Sequence, residues 1–126
     1  DKIQGMVLLY PALCVADDWN RRFPNVDEIP DVYNAWEVPL GKNFAKTLHG
    51  FNVFEHIGNY SGGVVILHGD NDAVVPLKYS EKANEIYTNS RMKTFQGEGH
   101  GFSDVGTKET IDILVNFIKE ENKYGF

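Results

Sequence analysis

Four consecutive apolar residues, Val64-Val65-Ile66-Leu67, follow Gly62-Gly63 and precede His68-Gly69. A strand points successive side chains to opposite faces, so an unbroken apolar run needs cover on both. That requirement favours a parallel sheet with helices on each side. The remaining segments fit this demand. Ile3 to Tyr10 is a second short apolar run, closed by Pro11, and reads as another strand buried on both faces. Pro76 to about Thr88 reads as a helix, with Tyr79, Ala83, Ile86 and Tyr87 on one face. Proline suits its start because the fixed φ and missing N–H cost nothing there. Arg91 to Gln96 carries a weaker strand signal, and Lys108 to about Glu121 reads as a helix. Ile111, Leu114, Val115 and Ile118 form its apolar stripe at i, i+3, i+4 and i+7. The fold class expected is α/β, with βα units and a mainly parallel, doubly wound sheet.

The segment from about residue 12 to 60 breaks the alternation. It is polar, punctuated by Pro24, Pro30, Pro39, Gly41 and Gly50, and holds half of the chain's aromatic residues. So long a connection either carries small elements of its own or folds as a lid. We expect a cap-like insertion over the strand ends, its rings serving as a private core or as a surface for substrate. Trp36 and Phe44 are the ring candidates in the insertion, and Phe102 lies nearer the chemistry described next.

Composition excludes several function classes. A net charge of −6 opposes binding to phosphate backbones, so nucleic acid is not expected as a partner. The apolar run Met6 to Tyr10 is far too short to span a bilayer. The single cysteine, Cys14, excludes an internal disulfide and fits a reducing, cytoplasmic compartment. Cys14 does not sit in a G-x-C-x-G turn, so a packed, inert thiol is expected. No metal-ligand spacing such as H-E-x-x-H occurs, and no metal or cofactor is expected.

Two loops follow predicted strands: His68-Gly69-Asp70-Asn71-Asp72-Ala73-Val74-Val75-Pro76 and Gly97-Glu98-Gly99-His100-Gly101-Phe102. The carboxyl ends of parallel strands are where α/β folds place their sites. An aspartate on one loop and a histidine on the next can meet there. The carboxylate accepts the imidazole Nδ1–H, fixes the tautomer and stabilises the cation. An aspartate here also suits capping of the following helix. His68 at a strand end suits a structural role, and Asp70 suits a turn. His49 and His56 in the insertion suit surface or local packing.

The two motifs resemble the C-terminal half of an α/β-hydrolase. The run H-G-x-x-D-x-x-V-P matches that family's acid-bearing loop, and the resemblance assigns the acid to Asp72, not Asp70. The run G-x-G-H-G-F matches its histidine loop and assigns the base to His100. The opening I-x-G-M-V-L-L-Y-P-A resembles the strand after the nucleophile helix. The aromatic insertion and the Gly-His-Gly-Phe-Ser ending look most like the cinnamoyl/feruloyl esterase group. The resemblance implies a serine hydrolase of carboxylic esters, acting on a small-molecule ester of an aromatic acid without a cofactor. A prolyl-oligopeptidase-type peptidase shares both motifs and is the alternative enzyme. The sequence departs from the pattern in one respect. It contains no G-x-S-x-G, and none of Ser61, Ser80, Ser90 and Ser103 sits on a strand–turn–helix elbow. The 126 residues thus read as a C-terminal portion whose nucleophile lies upstream, or as a non-catalytic binding module. A sheet cut in half exposes an edge, so self-association or pairing with the N-terminal half is expected.

Overall fold

A computed structural model describes residues 3–35 and 37–125, with side chains described through residue 120. Trp36 lies outside the described residues.

The sheet is built on the apolar run. Strand β4 (Gly63–Gly69) has all seven residues buried. It lies between β1 (Gly5–Leu9) and β5 (Ser90–Phe95), parallel to both. The even and odd residues of β4 serve different helices. Val64 and Ile66 pack on Ala83 and Tyr87, at and beyond the end of α3 (Leu77–Ile86). Val65 and Leu67 pack with Phe95 and with Phe117 of α4 (Asp104–Gly125). One helix covers each face, as the double winding predicted. The strand is longer than expected from sequence, because His68 and Gly69 still pair, with Thr94 and Phe95.

Three expectations are corrected. The first concerns β1, which is half-buried rather than sealed on both faces, and Leu9 is 37% exposed. It pairs only with β4 and forms a sheet edge among the described residues. The second concerns Pro76, which caps α3 with extended ψ instead of occupying its first turn. The third concerns α4. Its sequence carries two apolar lines at helical spacing, and the sheet takes the other one. Gly106, Thr110 and Phe117 are buried, with Ile113 against the core. Ile111, Val115 and Ile118 are exposed. Two features select the buried line. Phe117 brings the largest apolar side chain on that face to Val65 and Leu67. At Gly106 a Cβ would stand 2.7 Å from Glu98 Oε1 and 3.1 Å from the Phe102 Cβ, so the helix approaches its own leading loop closely there, and a side chain would have to displace the Glu98 carboxylate.

The insertion has its own elements. Helix α1 (Val15–Arg22) leads to a hairpin of β2 (Val32–Ala35) and β3 (Val38–Gly41), then to α2 (Lys42–Leu48). Two single turns of 3₁₀ helix, Val53–Glu55 and Ile57–Asn59, return the chain to β4. Trp19 is the hub of its aromatic core. Its ring centroid lies 5.6 Å from that of Phe23, 5.2 Å from Tyr33 and 5.4 Å from Phe44. The Arg22 guanidinium covers the Tyr33 ring at 5.1 Å. A second contact fastens the insertion to α3, where Cys14, Val75 and Tyr79 are buried together. The Tyr79 hydroxyl donates to Asp17 Oδ2 at 2.7 Å. No helix among the described residues is long and apolar enough to cross a membrane.

The choice of face on α4 separates two kinds of substitution. Phe117→Ala should cost about 3–5 kcal/mol of stability, as expected for a large buried ring. Ile111→Lys and Ile118→Lys should each change stability by less than about 0.5 kcal/mol, despite sitting on the line that periodicity favours. Urea unfolding of the three variants checks this; a Lys variant as damaging as Phe117→Ala would mean that the stripe is covered.

Candidate active site

The loops after β4 and β5 touch where β4 ends. A Cβ on Gly69 would fall 2.1 Å from the Glu98 carbonyl oxygen, so only glycine lets the loops approach this closely. Polar bonds then join them. The Asn71 N–H donates to the Glu98 carbonyl at 3.0 Å, and the Gly97 N–H donates to Asp70 Oδ1 at 2.6 Å. Asp70 thus ties one loop to the other as well as forming a turn. Glu98 secures the far end. Its carboxylate accepts the backbone N–H of Ser103 at 2.7 Å and also the Ser103 hydroxyl, at the entrance to α4. The bonds from Ser103 hold the Glu98 carboxyl below its ordinary range. Gly97 and Gly101 adopt φ of +75° and +89°, which bends the loop around His100 at a conformation L side chains rarely take.

Asp72 uses its two oxygens differently. Oδ1 accepts the N–H groups of Val74 and Val75, both at 2.8 Å. Oδ2 faces His100 Nδ1 at 3.0 Å. An ionised carboxylate only accepts, so the proton sits on Nδ1 and the lone pair on Nε2. The helix-capping role anticipated for Asp72 is corrected: α3 begins after Pro76 with no side-chain cap, and Oδ1 binds within the loop while Oδ2 meets His100. The Oδ1 bonds close the loop's own turn, ahead of α3. The Asp72 side chain is fully buried while that of His100 is 35% exposed. Burial pushes the Asp72 carboxyl up. The bonds from the Val75 N–H, His100 and the Val74 N–H outweigh it and leave the group below its ordinary range. His100 Nε2 has no hydrogen-bond partner among the described residues.

Tyr10, which sequence reasoning missed, completes the setting. It follows β1, and its ring lies 4.6 Å from the His100 ring and 5.2 Å from that of Phe102. Its φ of +35° is unusual for a bulky residue, and its N–H donates to the Leu67 carbonyl at 2.7 Å. The strained backbone turns the ring across the strand ends onto the histidine. Position after a closed strand and before Pro11 was the available signal. His68 and Ser80 were also undervalued and lie beneath Asp72, both fully buried.

The other sequence candidates fall as follows. Phe102 stacks on Phe95 at 4.7 Å and reaches His100 through Tyr10. Phe44 packs edge-on to Trp19 within the insertion, and no ring contact or hydrogen bond among the described residues joins it to Asp72 or His100. Cys14 is 3% exposed. Burial and the neighbouring Asp18 push its thiol up to about 11, which suits an inert thiol. His49 lies 3.3 Å from the Pro24 carbonyl, and His56 stacks on Phe51. Among the described residues no three His, Cys, Asp or Glu side chains converge as a metal site.

Two measurements follow from this geometry. Gly69→Ala should cost about 1–3 kcal/mol by forcing the loops apart. A carboxyl held below its ordinary range adds stability that is full above its unfolded value and is lost as pH falls through the folded value. Asp72→Asn should therefore reduce the acid limb of the stability–pH curve, with Glu98 still contributing to it. Urea midpoints from pH 2 to 7 check both; an unchanged acid limb in Asp72→Asn would contradict the assignment.

Comparison with known proteins agrees with the geometry. No family model matches the sequence. A stretch of 56 residues, 44% of the chain, is 36% identical to a non-heme haloperoxidase of Rhodococcus erythropolis and covers 20% of that protein. The structure superposes on Est1E from Butyrivibrio proteoclasticus with a TM-score of 0.84 and 24% identity, covering 96% of this chain and 52% of that one. Est1E has also been solved with ferulic acid bound. Alpha/beta hydrolase domain-containing protein 10 from mouse gives a TM-score of 0.75 at 11% identity, covering 95% of this chain and 54% of that one. The chain thus spans about half the length of these structures. Its parallel strands and covering helices are those of the α/β-hydrolase fold.

Proposed function

We propose that this chain supplies the acid and the base of a serine hydrolase of carboxylic esters. The observation that carries the reading is the His100 ring. Its Nδ1 is tied to a buried carboxylate, and its Nε2 is left unpaired on a half-exposed edge. Such an imidazole takes a proton from a hydroxyl nucleophile, and Asp72 stabilises the cation that forms. The proton then passes to the leaving alcohol, and water deacylates the enzyme by the same route in reverse. The nucleophile and the oxyanion donors come from polypeptide outside these 126 residues, since no serine here lies on an elbow. No cofactor takes part, and the compartment proposed is the cytoplasm.

The substrate class favoured is the ester of an aromatic, hydroxycinnamate-like acid. Est1E, a close structural match, has been solved with ferulic acid bound. The Tyr10 ring stands beside His100 with Phe102 behind it, and Phe102 is offered as a substrate contact together with Trp36 and Phe44 of the insertion. The bare edge of β1 and the exposed Ile111, Val115 and Ile118 favour pairing with the remainder of such a sheet, or self-association where that is absent.

The test is hydrolysis of p-nitrophenyl acetate and of methyl ferulate by a polypeptide joining this chain to an upstream half that bears G-x-S-x-G. His100→Ala and Asp72→Asn should each lower kcat by about 10³–10⁴-fold. The 126-residue chain alone should show no turnover above background. Turnover by that chain alone, abolished in His100→Ala, would overturn the placement of the nucleophile elsewhere.

A further inference from the structure

The histidine at the end of β4 does more than fill space. His68 has no exposed surface, and both ring nitrogens are engaged. Nε2 lies 3.0 Å from the Val75 carbonyl oxygen, which can only accept. The proton is therefore on Nε2. Nδ1 lies 2.6 Å from Ser80 Oγ. In a neutral ring Nδ1 is then the acceptor, so the Ser80 hydroxyl donates to it. The same Nε2 lies 3.2 Å from Asp72 Oδ2, the oxygen that faces His100.

Val75 links these contacts. Its carbonyl is held by His68, and its N–H is held by Asp72 Oδ1 at 2.8 Å. One residue thus connects the buried imidazole to the carboxylate. The positive end of the Nε2–H dipole also lies beside Oδ2. We propose that His68, protonated on Nε2, is a positioning residue for the Asp72–His100 pair, and that Ser80 of α3 anchors its ring through Nδ1. Loss of the Ser80 hydroxyl leaves Nδ1 without a partner and frees the ring to turn. The Nε2–H then leaves the Val75 carbonyl and Asp72 Oδ2. His68 and His100 are the titratable groups in contact with Asp72. The proposal takes from the reading above only the importance of Asp72, and its test needs no turnover. Failure of the esterase assignment therefore leaves the result interpretable.

The test is NMR of the full chain with ¹⁵N-labelled histidine and ¹³C-labelled aspartate carboxyls. Wild type should show His68 protonated on Nε2 alone at neutral pH. Ser80→Ala should keep the proton on Nε2 but loosen the ring, and so move the Asp72 titration midpoint upward. His68→Leu, which has no donor, should move it upward too, whereas His68→Gln, whose amide reaches Val75, should keep the wild-type midpoint. Should His68→Leu fail to fold, Ser80→Ala and His68→Gln decide the matter. A wild-type His68 protonated on Nδ1 or doubly protonated overturns the proposal. So does an Asp72 midpoint unmoved in folded Ser80→Ala, or one displaced as far in His68→Gln as in Ser80→Ala.

Discussion

A strand buried at every position can exist only if both faces are covered, and β4 is such a strand. Its alternation sends Val64 and Ile66 to α3, and Val65 and Leu67 to α4. The helices are held to the sheet by the two faces of β4 with help from β1 and β5, and because β4 and β5 are parallel the loops leading into the helices leave from the same end of the sheet. Burial of β4 therefore has a consequence beyond stability. It brings the Asp72 and His100 loops together before either residue has a chemical role. Full burial continues to His68, so the strand delivers an imidazole directly beneath the acid.

The junction of the loops is built largely from carboxylates accepting backbone N–H groups. Asp70 takes Gly97, Asp72 takes Val74 and Val75, and Glu98 takes Ser103. Such charge-assisted bonds are shorter and stronger than neutral ones. They also point in fixed directions, because each donor belongs to the backbone. The result is a carboxylate, Asp72, oriented without an arginine or lysine against it among the described residues. Had a fixed cation paired with Asp72, its field would disfavour the positive charge that His100 acquires on protonation. Backbone dipoles hold the carboxylate while leaving its full charge available to the imidazole.

What could be read from the sequence was governed by local rules. The apolar run of β4, the proline before α3 and the two histidine- and aspartate-bearing loops each follow from residue type and spacing within a few positions. That an aspartate and a histidine meet was legible for that reason, once both loops were placed at strand ends; the choice of Asp72 over Asp70 came from the resemblance. The misses depend on tertiary choice. On α4 two apolar lines have the same period, and periodicity cannot say which one meets the sheet. The fit of Phe117 and the closeness of Gly106 to Glu98 decide it. Tyr10 approaches His100 only because its backbone takes a φ of +35°, which no propensity favours. His68 looked structural because its partners, Val75 and Ser80, come from a loop and from a different element.

The contrast in exposure between the two partners sets the direction of the chemistry. Asp72 is sealed and His100 is half open. A sealed carboxylate stays in place and keeps its charge close to one nitrogen. An open imidazole edge can meet a nucleophile and a substrate that arrive from elsewhere. Tyr10 covers part of the ring and reduces its freedom to turn, so the unpaired Nε2 faces a limited set of directions. An acid fixed from beneath and a base restrained from the side leave one remaining variable, the position of the hydroxyl to be activated. That variable is the one these residues do not supply, and docking another portion of the sheet against the free edge of β1 is a physical route by which it can be fixed.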